Sequence, residues 1–286
     1  MRGPVAPADI SAAFIAACRT ELEALKPGNV HRHSGGHGMD TTHFERAAEA
    51  AAGPIADPTL SVGQRILRAT EASVAATGLY TNLGIVLLAA PLAKAAAETT
   101  IDTGLRRRLG VILSQLDEHD ADDAFAAIRL ANPAGLGNVA EGDVHEGPEH
   151  LTLIAAMHLA ANRDRIANAY VTTYSDVFDF ALPVLHEARA AIAEENLAVT
   201  TLHMALLAEF LDTHIVRKHG EKAAEVVRQE ARTLRPHWPS AAPAKWLSKL
   251  TEFDTKLKDK GLNPGTTADF VVSTLFADRL MARKHS

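Results

Sequence analysis

The chain is expected to be all-α, and three observations say so. Alanine is used heavily while aromatics are only 5% of residues, which favours closely packed helices over sheets. Apolar residues recur at helical spacing, as in Val62, Ile66, Ala69, Ser73 and Val74, with Arg65, Arg68 and Glu71 off that face. No strand alternation appears, and no hairpin dipeptide joins two strand-like runs.

Taken in order, the first helix is expected near 9–25 and stops at Lys26-Pro27-Gly28-Asn29. The second covers 41–52 and closes at Gly53-Pro54, and the third covers 62–77. The fourth, 82–98, has Thr81 as a good N-cap. Helices near 103–117 and 120–130 precede the break at Asn132-Pro133, and 150–169 follows Gly147-Pro148. Next come 173–195 and 197–218, the latter with Leu202, Ala205, Leu206 and Phe210 on one face. Helices at 221–232, 244–260 and 266–283 complete the set, punctuated by Pro236 to Pro243 and Gly261 to Gly265. Helices on both sides of 235–243 have apolar faces to bury, so this stretch reads as a surface connection. The expectation is one helical domain over residues 1–286.

Charge and cysteine usage narrow the function. A net charge of -6, with no basic tail, argues against nucleic acid as a partner. An anionic ligand would need local cations to overcome that field. Cys18 is the only cysteine, which rules out an internal disulfide and a four-cysteine zinc site. Its apolar helical setting fits a buried, inert thiol. The start lacks a signal-peptide core, and Lys94 and Glu98 close off the longest apolar run. No membrane role is expected, and the location expected is the cytoplasm.

Several polar segments interrupt this scaffold without serving its packing. Lys26 to Gly38 holds Lys26, Asn29, His31, Arg32, His33, His37 and several glycines. Backbone amides at glycines approach an anion closely, and the cations add charge, so a triphosphate cradle is one reading. A polar loop after a helix is another, and zinc on His31, His33 and His37 a third, at a spacing that matches no standard site. Thr81-Asn82-Leu83-Gly84 opens a helix, so Asn82 reads either as part of a cap or as a phosphate or ribose contact. Glu141-Gly142-Asp143-Val144, followed by Glu146, offers Asp143 to a hard cation, or is a plain turn. Asn162, Arg163, Asp164 and Asn168 make a polar patch on a helix expected to continue to Ala169. Asp212 and His214 pair a carboxylate with an imidazole; Arg217 and Lys218 also suit a helix C-terminus. Asn263-Pro264-Gly265 makes a turn before Thr266 and Asp269, which read as a capping-box-like pair or as the edge of an anion site.

Together these segments carry a resemblance. Lys26-Pro27-Gly28-Asn29-Val30, Thr81-Asn82-Leu83-Gly84, Gly142-Asp143-Val144, 162–170, 212–218 and 263–270 resemble, in order and spacing, the triphosphoribosyl-dephospho-CoA synthase family. The resemblance implies an all-helical enzyme with ATP as substrate and magnesium as the divalent metal. It also implies transfer of the triphosphoribosyl part of ATP to the 2′-hydroxyl of 3′-dephospho-CoA, with release of adenine. Related sequences are associated with methanopterin or methanofuran assembly, so a pterin or furan precursor stays open as acceptor, as does a homodimer. Under this reading Asp164 is the first choice, and Asp269 the second, for the carboxylate beside ribose C1′. His214 assists the leaving adenine. Lys26, Asn29, His31, Asn82, Arg163, Arg217, Lys218 and Asn263 hold the nucleotide, and Asp143 and Asp212 hold the metal. Two other readings remain: an ATP-dependent enzyme of another cofactor pathway, and a non-catalytic helical nucleotide-binding protein. Adenine release separates the first reading from both.

Overall fold

A capping box starts the helix with the clearest periodicity. Ser61 Oγ accepts the Gln64 N–H at 3.2 Å, and Gln64 Oε1 accepts the Ser61 N–H at 3.1 Å. The computed structural model describes residues 4–32, 34, 41–79, 81–98, 104–131, 150–234 and 243–282, with backbone only at 243–245. Among these residues there are fourteen α-helices and no strand, only an isolated bridge between His31 and Ser34. The all-α expectation holds. The helices are α1 (Pro7–Glu23), α2 (Thr41–Ala56), α3 (Val62–Thr77), α4 (Leu83–Ala97), α5 (Leu105–Ser114), α6 (Glu118–Ala131), α7 (Leu153–Ala160) and α8 (Arg165–Val171). A π-helical segment (Asp176–Ala181) leads into α9 (Leu182–Ala191). Then follow α10 (Glu195–Glu209), α11 (Thr213–His219), α12 (Glu221–Leu234), α13 (Pro243–Asp259) and α14 (Gly265–Ala282). None of the described helices is long and apolar enough to cross a membrane.

Three expected helices are interrupted, each for a local reason. The one at 150–169 breaks into α7 and α8, because Asp164 takes an extended backbone and accepts the Ile166 and Ala167 N–H groups at 2.8 and 3.1 Å. The one at 173–195 cannot begin at Thr173, since Thr173 and Tyr174 have φ of 51° and 55°. It also ends at Ala191, before α10 begins. The one at 197–218 divides at Asp212, which caps α11 by accepting the Ile215 N–H at 3.0 Å. Asx side chains that serve as N-caps compete with helix continuation, and here they win.

The chain forms two compact units. The first comprises Met1–Cys18, His43–Ser175 and Leu275–Ser286; the second, Arg19–Thr42 and Asp176–Thr274. In the first, α4 is buried from Ile85 to Ala93, and α3 packs on α4 and α6. Asp120 ties α6 to the start of α3 by accepting Ser61 Oγ–H and Gly63 N–H, both at 2.7 Å. Arg65 is fully buried and donates to the Ile55 and Leu60 carbonyls, splinting the turn between α2 and α3. Burial pulls its guanidinium down to about 10. Cys18 is buried, as expected.

Pro91 sits inside α4 and has no N–H for the Leu87 carbonyl. The buried Tyr170 hydroxyl supplies that bond at 2.7 Å, and Tyr174 donates to the next carbonyl, Leu88, at 3.0 Å. The second unit is built on a core of Leu25, Met204, Leu207, Ile215, Val227, Trp246, Leu250, Phe253 and Leu257. In it α10 packs against α9 and α12, and α11 against α12.

The tyrosine pair gives a graded expectation. Tyr170→Phe leaves a buried carbonyl with no donor and should cost about 1–3 kcal/mol. Tyr174→Phe should cost about 1 kcal/mol or less, because Leu88 keeps its helical N–H from Leu92. Urea midpoints of the two variants check the order; equal losses would show that Pro91 leaves no deficit.

Candidate functional site

In the second unit the sequence from Lys26 to Asn29 leaves α1 as a tight turn. Lys26 is fully buried, and its ammonium pairs with Glu21, itself 4% exposed, and donates to Asn29 Oδ1 at 3.1 Å. Burial lowers the Lys26 ammonium and raises the Glu21 carboxyl; their mutual attraction opposes both shifts. Asn29 Nδ2 in turn donates to Asn263 Oδ1 at 2.8 Å. Gly28 has φ +82°, and its N–H donates to Asp254 Oδ1 at 2.8 Å. A Cβ there would lie 2.8 Å from the Leu262 oxygen and from Pro264 Cδ, so the turn admits only glycine.

Beside this turn, Asp254 and Lys258 project one helical turn apart from α13. Lys258 Nζ donates to Asp254 Oδ2 at 3.0 Å and to the Ser34 carbonyl at 3.2 Å, and lies 3.3 Å from His31 Nε2. His31 Nε2 is also 3.3 Å from Asp254 Oδ2. Burial pushes the Asp254 carboxyl up, but hydrogen bonds from His31, Lys258 and Gly28 together outweigh it and leave the group below its usual range. Burial lowers His31, against the opposing pull of Asp254. His203, fully buried on α10 close to Pro27, is held down to about 3 by burial, then by the charges of Lys26 and His31.

A second knot joins α11 to α14. Asp212 Oδ2 accepts the Thr267 N–H at 2.7 Å and its hydroxyl at 2.8 Å, while Oδ1 caps α11. The His214 N–H donates to Thr266 Oγ1 at 3.1 Å, and Thr213 Oγ1 lies 3.2 Å from the same atom. Thr266 is therefore a cross-link to α11; α14 begins at Gly265, so Thr266 lies inside the helix and not at the cap expected of it. The His214 ring lies over Gly265, where an added Cβ would be 3.3 Å from Cγ and Nδ1. Arg217 and Asp269 are half-buried and Lys218 is exposed.

The second unit thus collects Lys26, Asn29, His31, Asp212, His214, Arg217, Lys218, Asn263 and Asp269. Asn82, Arg163 and Asp164 belong to the first unit. Thr81 is not the N-cap of α4; Asn82 is, without a side-chain cap bond, and its Nδ2 donates to Ser73 Oγ at 3.0 Å. Arg163 is exposed. Asp164 lies at a helix start, not mid-helix, so its carboxylate has a structural reason in the cap. Asp143, Glu146, His33 and His37 lie outside the described residues. Among those described, no cluster of three or more His, Cys, Asp or Glu fits a metal ion. Asp212 has both oxygens engaged by protein donors. Sequence reasoning missed Glu21, His203, Asp254 and Lys258. An Asp and a Lys four apart on α13 look like a solvated face beside Lys249, Glu252 and Lys256, and His203 lies in an apolar run.

Two expectations follow. Lys26→Ala strands a buried carboxylate and should cost about 3–5 kcal/mol, read as a shift in denaturant midpoint; a loss typical of a surface loop would move Lys26 out of the buried pair. His203 binds its proton only near pH 3 when folded, against about 6.5 unfolded. Its contribution is present above about pH 6.5 and is lost as pH falls below that value. Stability should drop by about 1.4 kcal/mol per pH unit from this residue between about pH 6 and 4. In His203→Gln the slope should be shallower by that amount; an unchanged slope would place the proton elsewhere.

Comparison with known proteins completes the picture. The family model described as ATP:dephospho-CoA triphosphoribosyl transferase matches residues 7–286. A probable 2-(5″-triphosphoribosyl)-3′-dephosphocoenzyme-A synthase of Azotobacter vinelandii is 31% identical over 107 residues. That match takes in 37% of this chain and 36% of the relative, so it spans about a third of the relative's length. The crystal structure of a candidate triphosphoribosyl-dephospho-CoA synthase from Archaeoglobus fulgidus shares the fold, with a TM-score of 0.63 at 23% identity. The similarity covers 82% of this chain and 98% of that one. Because the family match runs from residue 7 to residue 286 and takes in every polar segment described above, the chain belongs to the ATP:dephospho-CoA triphosphoribosyl transferase family.

Proposed function

We propose that the protein transfers the triphosphoribosyl group of ATP to the 2′-hydroxyl of 3′-dephospho-CoA, or of a closely related acceptor, with release of adenine. The observation that supports this best is the joining of two family segments: 26–29 meets 263–265 through the Asn29–Asn263 bond, with Lys258 beside the first and His214 over the second. The reaction breaks the N-glycosidic bond at ribose C1′ and forms a C1′–O bond to the acceptor. The acceptor hydroxyl loses its proton, and adenine gains one.

The site must meet three needs. Cations must face the triphosphate: Lys258, 14% exposed, with Arg217 and Lys218 on α11, are assigned this task. Lys26, fully enclosed, is assigned to hold the turn. A carboxylate must stabilise the oxocarbenium-like C1′ or take the hydroxyl proton. The cap accounts for Asp164 on structural grounds alone, so this role is assigned to Asp269, a half-buried carboxylate in the unit that holds His214 and Lys258. A donor must serve the leaving base, and His214 is assigned that role. ATP is proposed to enter as its magnesium complex, in the cytoplasm, with no step assigned to a resident metal.

Adenine release, followed by chromatography with ATP and dephospho-CoA, tests the reading. The wild type should form adenine in step with the transferred product; ATP consumption without adenine would reject it. Asp269→Asn should slow adenine formation roughly 10²–10⁴-fold with ATP binding retained. Asp164→Asn keeps an equally good cap and should stay within about threefold of wild type. The opposite order would return the role to Asp164.

A further inference from the structure

The two side-chain amides that join this turn to Asn263 have a direction, and the chemistry of their partners fixes it. A lysine ammonium only donates hydrogen bonds. The atom of Asn29 that faces Lys26 Nζ, at 3.1 Å, is therefore its carbonyl oxygen. The other end of Asn29 is then NH₂, and the atom of Asn263 that meets it at 2.8 Å is an oxygen. By elimination the free end of Asn263 is an NH₂ group. Asn263 is half-buried, and its Nδ2 makes no hydrogen bond among the described residues.

From this geometry we infer that Glu21, Lys26 and Asn29 form a polarised relay that fixes Asn263 as a hydrogen-bond donor to a phosphate oxygen of the bound substrate. Glu21 keeps the charge on Lys26, Lys26 sets Asn29, and Asn29 sets Asn263. The first three are positioning residues, and Asn263 is the group that touches ligand. The inference rests on the transfer reading for the identity of the ligand, since both ATP and dephospho-CoA carry phosphate oxygens. The direction of the donor follows from the relay alone. A carboxamide turned the other way would present an oxygen, and two acceptors would face each other.

Isothermal calorimetry on the full chain tests this with ATP, inorganic tripolyphosphate and dephospho-CoA as separate titrants. Asn263→Ala should weaken binding of the titrant whose phosphate it meets by about 10- to 150-fold. Asn263→Asp, nearly the same shape but an anionic acceptor, should weaken it further. Asn29→Asp presents oxygen at both ends and forces Asn263 to turn its NH₂ inward. It should therefore cost a similar factor when Asn263 is present and less than about threefold in the Asn263→Ala background. Shared loss for ATP and tripolyphosphate puts the donor on the triphosphate; loss confined to dephospho-CoA puts it on the acceptor. The inference is overturned if Asn263→Asp binds as tightly as Asn263→Ala, if Asn29→Asp costs the same in both backgrounds, or if Asn263→Ala changes none of the three. Should Asn29→Asp fail to fold by circular dichroism, the contrast between the two Asn263 variants decides alone. A wild type that binds these ligands without releasing adenine sinks the transfer reading and leaves the relay to be judged by its variants. One that binds none of them overturns both.

Discussion

The ammonium of Lys26 has no exposure to water and the Glu21 carboxylate beside it has almost none, so each charge persists because of the other. That pair fixes where the chain turns on leaving α1. The turn places the Gly28 N–H on Asp254 and the Asn29 carboxamide on Asn263. Asp254 in turn gathers His31 and Lys258. Remove the pair, and the hydrogen bonds that organise this side of the second unit lose their anchor.

Under the proposed reading, a chain with a net charge of -6 needs cations close to an anionic ligand. Lys258 is held by Asp254 and the Ser34 carbonyl and is almost enclosed, while Arg217 and Lys218 extend from the last turn of α11. Asp212 serves differently. It caps α11 and binds the first turn of α14, so it fixes the backbone around His214 and Gly265. These acids shape the surroundings of the cations and of the imidazole, and they do so through hydrogen bonds that satisfy both of their oxygens.

The first unit shows the same economy in apolar surroundings. Pro91 deprives a buried carbonyl of its helical donor, and a tyrosine hydroxyl replaces it. Tyr170 and Tyr174, with ring centroids 6.0 Å apart, thereby pin α8 and the turn after it to α4. Thr173 and Tyr174 accept left-handed backbone angles there, and the π-helical segment begins two residues later.

The fold class was legible in the sequence because alanine content and the 3.6-residue period are local properties, and the helices around α3, α4 and α12 follow from them. The polar segments were legible as well, since Lys-Pro-Gly-Asn and Asn-Pro-Gly stand out between apolar helical runs. The breaks at Asp164 and Asp212 were not, because an Asx side chain mid-pattern is read as a solvated residue until its capping bonds are seen. Nor was the purpose of Lys26: a lysine beside Pro-Gly reads as an exposed cation, and only the fold encloses it with Glu21. Asp254, Lys258 and His203 stood on helices where a charge run means a wet face and an apolar run means core. Which turn a distant helix packs against is a matter of tertiary contacts, and those alone brought residues 26–31 together with 254–258 and 263–265.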